Sequence, residues 1–418
     1  MRPTVAVIGS GVSGLTAAYA LRNTHEVALF EADSRFGGHA HTHELTGTDG
    51  RVRHVDSGFI VHNERTYPNL LRIFARRGIE TQATEMSMSI RCEECGLQYA
   101  GGRGFKGIAA QPWRLLNPRF LRMLLEVPRF HRTARSLLAG ELDAKMTWGE
   151  FLTHGKYSEY FIRHFAIPLV SCVWSSGDED SRAYPAKHLF EFLSHHGMLT
   201  IGNSPTWRTV VGGSQTYVAA IIAQLPSARR NARVTAVKRH TDYVEVTTAS
   251  GTERFDYAII ATHANSAAEL LVDASDAERT DLTAITYSQN ATWLHTDEAV
   301  LPNARGARAS WNYLMQRCAD DANAVLVSYW MNRLMRLDGP AQYVVTLNAT
   351  GRVDASRVIA RMQYEHPVFT TDAVEAAQRL KQAGGPRLAF AGAHLGWGFH
   401  EDGARSGVEA AKKFGAAW

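Results

Sequence analysis

The first thirty residues hold two short apolar runs separated by a helical pattern. Thr4–Ile8 is the first run and Glu26–Phe30 the second, and apolar residues recur at helical spacing between Leu15 and Leu21. Continuous apolar runs of this length are typical of strands buried on both faces of a parallel sheet. The pattern predicts a strand, a helix and a second strand, with Glu31 directly after the second strand.

Three glycines join the first predicted strand to the helix. Gly9, Gly11 and Gly14 have the spacing G-x-G-x-x-G. The first glycine permits a tight turn, the second lets the backbone approach a pyrophosphate, and the third lets helix and strand pack closely. The helix N-terminus then faces the anion, and Glu31 lies where a carboxylate can accept hydrogen bonds from a ribose hydroxyl. The sequence therefore predicts a dinucleotide-binding βαβ unit, and this motif fits NAD and FAD alike.

Later segments complete the predicted organisation. Residues 66–78 read as a helix, a helix-rich insertion follows, and a Gly-Gly helix, a β-meander and the strand Asp256–Ala261 occupy residues 212–264. The strand Arg387–Ala391 leads into a glycine-rich turn and a last helix, Ala404–Phe414. Strands rich in Trp and Tyr between these blocks predict a sheet that forms the wall of a substrate cavity. They are Ala291–His295, Ser310–Met315, Ala324–Met331 and Gln342–Leu347.

Composition excludes several classes of protein. The chain has 418 residues, of which 45% are hydrophobic and 21% charged, values typical of a folded globular protein. The net charge of +4 does not indicate a nucleic-acid partner. No apolar run reaches the roughly 18 residues of a membrane span, and the first strand leaves no room for a signal peptide. We therefore expect a cytoplasmic protein.

Cys92 and Cys95 form a C-x-x-C pair between the predicted hairpin strands Met86–Arg91 and Leu97–Ala100. A structural zinc site needs further ligands, and a thioredoxin-like motif should open a helix. We interpret the two cysteines as reduced thiols in a turn and predict no metal site.

Residues 113–138 combine an apolar stripe with many arginines. Pro118 and Pro128 are predicted to break this helical segment. The stripe consists of Leu116, Phe120, Leu124, Val127, Ala134 and Leu138. The basic residues are Arg114, Arg119, Arg122, Arg129, Arg132 and Arg135, against the single acid Glu126. The segment is either a solvated helical face or an interfacial helix that meets anionic lipid head groups and acyl chains.

A loop after Glu31 favours FAD over NAD as the cofactor. Arg35, Gly37 and Gly38 form R-x-G-G, and this loop resembles the one that passes the FAD ribityl and pyrophosphate in flavoproteins of the glutathione-reductase superfamily. The segment around Gly58 resembles the one that crosses the isoalloxazine ring in the same proteins. His39, His41 and His43 alternate as metal ligands on a strand could, but no carboxylate or cysteine completes a metal site, and a flavin site explains the loop better.

Taken together, the blocks resemble the flavin-containing amine oxidase and phytoene desaturase superfamily. More narrowly, the chain resembles bacterial FAD oxidoreductases encoded beside cyclopropane-fatty-acyl-phospholipid synthase-like methyltransferases. The stretches that carry the resemblance are Gly37–His39, Gly58–Pro68, Trp207–Gly213, Leu294–Asp297, Tyr329–Asn332 and Gly396–Gly403. The sequence departs from typical amine oxidases in two ways: His39 stands where they usually have Arg, and no lysine can be placed near flavin N5.

The resemblance implies an α/β fold in which a Rossmann-like FAD-binding domain is interleaved with a mixed-sheet substrate domain and a helix-rich insertion. The expected FAD-binding domain comprises residues 1–78, 206–264 and 386–418. The substrate domain comprises 79–205 and 265–385, with 105–205 as the insertion. The FAD is expected to be non-covalent. Its predicted contacts are Gly9, Gly11, Val12, Ser13, Gly14, Glu31, Arg35, Gly37, Gly38, His39, Gly58, Phe59, Val234, Thr262, Gly392, Phe399, Asp402 and Gly403.

The function implied by the resemblance is desaturation of an apolar substrate by hydride transfer to flavin N5. The expected substrate is a methyl-branched fatty acyl chain of a phospholipid, with a fatty acyl methyltransferase as functional partner and peripheral contact with the inner face of the membrane through residues 113–138. One alternative is a flavin amine oxidase. Another is a non-catalytic FAD-binding scaffold for a lipid methyltransferase.

A few residues are candidates for chemistry or substrate contact. His400 is the first candidate for acid–base catalysis, although a histidine that only satisfies backbone at a helix start explains it equally well. Glu64 and His295 are weaker candidates for the same role. The predicted cavity-lining residues are Trp330, Asn332 and Trp397.

Overall fold

The computed structural model describes residues 1–140, 143–200, 202, 204–318 and 326–418. Within these ranges the chain forms five β-sheets and a group of helices, so the predicted α/β class is confirmed. The strands are β1 Thr4–Ile8, β2 Glu26–Phe30, β3 Thr42–Thr46, β4 Val52–Asp56, β5 His62–Asn63, β6 Thr81–Thr84, β7 Met88–Cys92, β8 Gln98–Gly101, β9 Trp207–Val210, β10 Ser227–Arg229, β11 Val234–Arg239, β12 Val244–Thr248, β13 Gly251–Phe255, β14 Tyr257–Ile260, β15 Tyr287–His295, β16 Trp311–Met315, β17 Val327–Trp330, β18 Val344–Leu347, β19 Val358–Pro367 and β20 Leu388–Phe390.

The α-helices are α1 Val12–Leu21, α2 Pro68–Arg77, α3 Gly104–Ile108, α4 Pro118–Ala139, α5 Trp148–His154, α6 Glu159–Phe161, α7 Ile167–Trp174, α8 Asp178–Ala183, α9 Ala186–His195, α10 Gln215–Ile222, α11 Ala264–Leu270, α12 Asp276–Ala284, α13 Met331–Leu334, α14 Thr371–Leu380 and α15 His400–Lys413. A π-helical segment, Ile162–Ala166, joins α6 to α7. No helix in the described ranges is both long and apolar enough to cross a membrane.

A parallel sheet forms the centre of the nucleotide-binding part. Its strand order is β10-β2-β1-β14-β20, and β1 pairs with β2 on one side and β14 on the other. The predicted strand–helix–strand unit at the start of the chain is confirmed, with strand bounds as predicted. Val5, Ala6 and Val7 are completely buried, as expected for a strand covered on both faces.

A seven-stranded mixed sheet forms the second large layer, in the order β19-β15-β18-β17-β16-β7-β8. Three of the four predicted aromatic-rich strands correspond to β15, β16 and β18. The fourth, Ala324–Met331, begins at two residues that lie outside the described ranges, and the rest of it corresponds to β17.

The sequence analysis missed β19, which pairs with β15 from Tyr287↔Pro367 to His295↔Val358. Most of its residues are only half-buried or exposed, so the strand lacks a continuous apolar run.

The helices between β8 and β9 enclose an aromatic core of their own. Phe120, Phe130, Trp148, Phe161 and Phe190 are completely buried in it. The predicted break at Pro118 is confirmed, because a short 3-10 helix, Pro112–Leu116, ends before it and α4 begins at Pro118. The predicted break at Pro128 is wrong, since Pro128 lies inside an uninterrupted α4, where it costs one backbone hydrogen bond without ending the helix.

The last helix, α15, begins at His400 rather than at the predicted Ala404. The Asp402 carboxylate accepts a hydrogen bond from the Phe399 N–H at 3.1 Å, and this contact caps the helix one turn earlier than expected. As a result Gly403 lies within the first turn of α15 and not before it.

Helix α15 packs directly on α1, and two glycines make the approach possible. A Cβ atom at Gly403 would lie 2.6 Å from Val12 Cγ1, and one at Gly407 would lie 2.2 Å from the Ser13 carbonyl oxygen. Both distances are too short for any side chain. The start of α1 and the first turn of α15 are therefore fixed side by side.

Candidate cofactor and active site

The glycine turn after β1 combines tight packing with one open position. A Cβ atom at Gly9, where φ is +99°, would lie 2.8 Å from the Ala261 carbonyl oxygen, and one at Gly14 would lie 1.9 Å from the Gly9 carbonyl oxygen. At Gly11 a Cβ atom would meet no protein atom within 4 Å. Gly9 and Gly14 are thus required by the fold itself. Gly11 leaves space in front of α1, the place where a helix N-terminus binds a phosphate.

Glu31 is tied to the same turn. Its carboxylate accepts hydrogen bonds from the N–H and the hydroxyl of Ser10, and from the Asp33 N–H at 2.9 Å. A carboxylate has about four acceptor positions, so capacity remains for the predicted ribose contact. Ser10, which is completely buried, was missed by the sequence analysis because it lies at a variable position of the glycine motif.

The predicted loop 35–39 folds back over the glycine turn. Arg35 donates to the Gly38 carbonyl at 2.7 Å, and the Gly37 N–H donates to the Ser10 carbonyl at 3.1 Å. A Cβ atom at Gly38 would lie 3.2 Å from Gly11 Cα, so the two backbones run close together. This contact places the second glycine pair beside the open space at Gly11.

His39 joins this loop to the segment after β4. Its carbonyl accepts from the Phe59 N–H at 2.7 Å, and a Cβ atom at Gly58 would lie 2.2 Å from the same oxygen. The His39 ring is surrounded by other rings, with Tyr364 at 4.9 Å and His366 at 5.5 Å between centroids. Its Nε2 atom is buried and has no hydrogen-bond partner within the described residues.

The histidines of this group are held neutral. Burial lowers the pKa of His39 well below its usual range and lowers that of His366 to about 4. Burial also lowers the pKa of His394 to about 3. Tyr364 and His366 were missed by the sequence analysis because both lie on β19, the strand without an apolar pattern. The group can therefore offer hydrogen bonds but no positive charge near neutral pH.

The remaining predicted cofactor contacts lie around the parallel sheet. Val234 begins β11 and is buried, and Thr262 follows β14 with its hydroxyl bonded to the His263 carbonyl at 3.1 Å. Gly392 follows β20, and its N–H donates to the Ser406 hydroxyl at 2.9 Å. A Cβ atom at Gly392 would lie 2.1 Å from the His394 ring, so this position also requires glycine.

The start of α15 completes the site. Phe399 precedes the helix, and Asp402 is almost fully buried, with Arg405 donating to it at 2.6 Å. Burial raises the pKa of Asp402 although Arg405 opposes the shift. Gly403 packs against Val12, so the N-termini of α1 and α15 lie side by side, and each presents unpaired backbone N–H groups and the positive end of a helix dipole.

The first catalytic candidate, His400, is engaged by Phe59 and Tyr217. Its ring stacks on Phe59 with 3.6 Å between centroids and 7° between planes, and its Nε2 lies 2.9 Å from the Tyr217 hydroxyl. Burial, with a smaller contribution from His62, lowers the pKa of His400 to about 3. The ring therefore favours the neutral form and packs against Phe59, which suits a positioning role, and its catalytic role stays a prediction.

The two weaker catalytic candidates are also engaged elsewhere. Glu64 is 61% exposed and pairs with Arg208 at 3.2 Å, so it lies at the surface. His295 is completely buried, with its Nε2 at 2.7 Å from the Thr346 hydroxyl and its Nδ1 accepting from the Asp297 N–H. Because both ring nitrogens are used within the mixed sheet, His295 has no free position for proton transfer.

Of the three predicted lining residues, only Trp397 lies with the residues before α15. Trp330 donates to Gln342 at 2.8 Å, and the Asn332 amide holds the backbone of Ala341 and Tyr343. These two residues therefore stabilise a turn of the mixed sheet.

An aromatic wall joins the residues before α15 to the helical insertion. The Trp397 carbonyl accepts a hydrogen bond from the Trp174 indole at 2.9 Å. The indole ring of Trp397 stacks beside His195. Phe399 stacks on Phe192 at 4.8 Å. We call Trp174, Phe192, His195, Trp397 and Phe399 the aromatic wall. The Trp397 indole N–H is buried without a partner within the described residues, which is typical of a group that faces a ligand space.

These residues fit FAD. The open position at Gly11 and the N-terminus of α1 would hold the pyrophosphate, and Glu31 the ribose. The unpaired ring nitrogen of His39 and the N–H groups at the start of α15 would contact the flavin. The Gly58–Phe59 segment and the aromatic wall provide flat apolar surfaces of the kind that suits a ring system.

The open position at Gly11 generates a direct test of this assignment. Gly11 has extended backbone, with φ −63° and ψ 176°, so valine fits the fold there but fills the cofactor space. We expect Gly11→Val to weaken FAD binding by about tenfold or more while the melting temperature of the flavin-free protein stays unchanged. Gly140→Val, at an extended position after α4, is the matched control. Equal flavin content in both variants would contradict the assignment.

The buried state of His295 predicts a pH dependence of stability. Burial lowers the pKa of His295 from 6.5 to about 4, so the unfolded chain binds a proton that the folded chain does not between these two pH values. The free energy of unfolding should therefore fall as the pH drops from 6.5 to 4, with about 3 kcal/mol due to this residue. His295→Gln should flatten that decline in urea unfolding curves and leave the pH profile of flavin reduction unchanged. A shifted reduction profile would instead restore a catalytic role.

Comparisons with known proteins agree with a flavin cofactor. The sequence pattern of the family described as flavin containing amine oxidoreductase matches residues 12–413. No curated protein matches the chain at a significant level.

Among solved structures, a CLA-producing fatty acid isomerase from P. acnes aligns with a TM-score of 0.73 at 16% identity, covering 99% of both chains. Cyclohexylamine oxidase from Brevibacterium oxydans IH-35A aligns with a TM-score of 0.70 at 14% identity, covering 99% of this chain and 98% of that one. A putrescine oxidase bound to putrescine gives the same score at 14% identity over 100% of both chains. At such identities the likeness shows the fold, and the family match over nearly the whole chain shows the class of enzyme and its cofactor. The chain belongs to the flavin-containing amine oxidoreductase family and is an FAD-dependent oxidoreductase.

Proposed function

We propose that this enzyme desaturates a methyl-branched fatty acyl chain of a phospholipid at the membrane surface. The observation that carries the proposal is a cluster of exposed apolar side chains on the helical insertion. Phe105, Trp113, Leu116, Leu121 and Leu125 are between 42% and 85% exposed. They make up half of the ten large apolar side chains that are exposed within the described ranges, although they come from only 21 residues of chain. We call these five residues the apolar patch.

The helix that carries Leu121 and Leu125 of the apolar patch also carries exposed basic side chains. Arg119, Arg122, Arg132 and Arg135 are exposed on α4, and only Arg122 has an ion pair within the described residues, to Glu126 at 3.4 Å. The other two arginines of the segment are used internally, since Arg114 and Arg129 donate to backbone carbonyls. Exposed apolar side chains flanked by arginines fit a surface with acyl chains below and anionic head groups above. A solvated helical face would not need the apolar half of this arrangement.

The site is suited to an apolar substrate. The aromatic wall presents apolar surface, and the histidines near His39 are neutral because burial lowers their pKa values. Desaturation removes two hydrogens from adjacent carbons, one as a hydride and one as a proton that leaves to a base or solvent. FAD, when bound, would supply the redox chemistry as the hydride acceptor, with O₂ or another acceptor as the final oxidant. The protein's part is to bind and orient the chain and to exclude water.

Two kinds of support are compatible with the acyl substrate. The sequence resembles oxidoreductases encoded beside fatty acyl methyltransferases, enzymes that would produce a methyl-branched substrate. The same fold is found in a fatty acid isomerase, which shows that this architecture can accept an acyl chain. Cyclohexylamine and putrescine oxidases also have this fold, and the aromatic wall fits a neutral amine. A small amine substrate leaves the apolar patch without a role, so we favour the acyl substrate.

Anaerobic reduction of the bound flavin tests the substrate. Vesicles of a phospholipid with a methyl-branched acyl chain should bleach the visible absorbance of oxidised FAD. The same phospholipid with an unbranched saturated chain should bleach it more slowly, because it lacks the branch. Cyclohexylamine and putrescine should have no effect. Bleaching by the amines alone would establish the amine oxidase instead, and no bleaching with either class would favour the non-catalytic scaffold.

Vesicle co-sedimentation tests the membrane contact separately. The enzyme should bind vesicles containing anionic phospholipid more tightly than neutral vesicles, and added salt should weaken the binding. Leu125→Asp should reduce the binding by about tenfold or more, because it replaces an exposed leucine that would insert into the acyl layer with a charged side chain. Val272→Asp, at an apolar residue that is 54% exposed elsewhere on the surface, is the matched control. Equal binding by the two variants would overturn the role of the apolar patch.

A further inference from the structure

Three cysteines and a histidine from distant parts of the chain meet beneath the mixed sheet. They are Cys92, Cys95, His164 and Cys318, and we call them the Cys₃His cluster. One potential ligand atom from each lies within 4.8 Å of all the others. Cys92 ends β7, Cys95 lies in the hairpin turn before β8, His164 lies in the π-helical segment of the insertion, and Cys318 follows β16. Cys92 and His164 are nearly inaccessible, with 1% and 2% exposure.

The separations fit a tetrahedral metal ion. Cys92 Sγ and Cys318 Sγ are 3.6 Å apart, and Cys95 Sγ lies 3.7 Å from His164 Nε2. Two sulfurs bound to zinc at ~2.3 Å in a tetrahedron lie about 3.8 Å from each other, and a sulfur and a nitrogen lie slightly closer. A disulfide would require the sulfurs at about 2.05 Å. The distances therefore match ligands that share an ion better than they match a covalent bond.

The histidine is oriented as a metal ligand. Its Nδ1 lies 3.2 Å from the Tyr160 carbonyl oxygen, to which it can only donate, so Nε2 carries the free lone pair on the side of the thiols. The His164 carbonyl in turn accepts from the Tyr99 hydroxyl at 2.7 Å. Metal-bound histidines almost always donate their second ring nitrogen to such an oxygen.

The hairpin turn is shaped to hold thiolates. Gly96 has φ +69°, which turns the chain so that the Leu97 N–H approaches the Cys95 sulfur, and the Cys95 N–H approaches the Cys92 sulfur. Arg114 adds positive charge by donating to the Cys95 carbonyl. Thiolates are the form in which cysteine binds a metal.

We propose that the Cys₃His cluster binds one zinc ion in a closed structural site. Three sulfurs and one imidazole nitrogen in a tetrahedron are typical of zinc, and four protein ligands leave no position for substrate. The ion would join the β7–β8 hairpin, the segment after β16 and the helical insertion. The site lies outside the flavin site, so the proposal does not depend on the proposed substrate.

The sequence analysis predicted no metal here because it saw only the C-x-x-C pair. The third and fourth ligands are 69 residues from Cys95 and 226 residues from Cys92 along the chain. Folding alone brings them together.

Metal analysis of the purified FAD-bound enzyme tests the proposal. We expect one zinc ion per chain, retained through dialysis and released by a strong chelator with a fall in melting temperature. After Co²⁺ replaces the zinc, the protein should show tetrahedral d–d bands in the red, where oxidised flavin does not absorb. Cys95→Ser and Cys318→Ser should lose most of the metal, whereas Cys172→Ser, at a buried cysteine outside the cluster, should keep it.

The measurement on the unmodified enzyme decides the question even if a variant fails to fold. Absence of zinc together with absence of the Co²⁺ bands would overturn the proposal. A Cys92–Cys318 disulfide, detected by mass spectrometry of the unreduced protein, would also overturn it. FAD content is measured in parallel, because metal loss with full flavin content separates this site from the cofactor site.

Discussion

The packing of α15 on α1 is the contact on which the cofactor site depends. Gly403 and Gly407 allow the two helices to approach until any side chain at either position would collide with Val12 or Ser13. This approach places two helix N-termini at one point, each with unpaired N–H groups. The flanking loops are then ordered around that point by backbone hydrogen bonds from Gly37 and Phe59. A single close contact between the two ends of the chain thus defines where an anionic, electron-accepting cofactor can bind.

Several polar groups around this point have pKa values shifted towards their neutral forms. Burial lowers the pKa of His39, His366, His394 and His400, and it raises the pKa of Asp402. Side chains that would otherwise bring charge to the site are therefore biased towards their neutral forms. Backbone dipoles at the two helix N-termini can stabilise negative charge here, and they need no proton and do not change with pH. Such a site can lie next to an apolar chain without a large cost of desolvation.

Sequence reasoning succeeded where local pattern determines structure. The βαβ unit, the R-x-G-G loop and the C-terminal strand and helix each combine an apolar period with glycines at required positions, and all are found in the structure. Sequence reasoning failed where contacts between distant parts of the chain determine the position and the bonding partners of a residue. The half-buried strand β19 has no continuous apolar run, so Tyr364 and His366 could not be assigned to the site. His400 and His295 are ordinary acid–base candidates in sequence, and only the structure shows that Tyr217 contacts Nε2 of His400 and that both ring nitrogens of His295 are bonded.

The order of the parallel sheet has a consequence for how the enzyme acquires its cofactor. β14 lies between β1 and β20 in this sheet. The edge strand β20 comes from residues 388–390, whereas the central strand β1 comes from residues 4–8. Contacts between such distant parts of a chain carry the entropic cost of closing a long loop. The cofactor site is therefore complete only when both of these parts of the chain are in place, and a bound flavin reports that they have met.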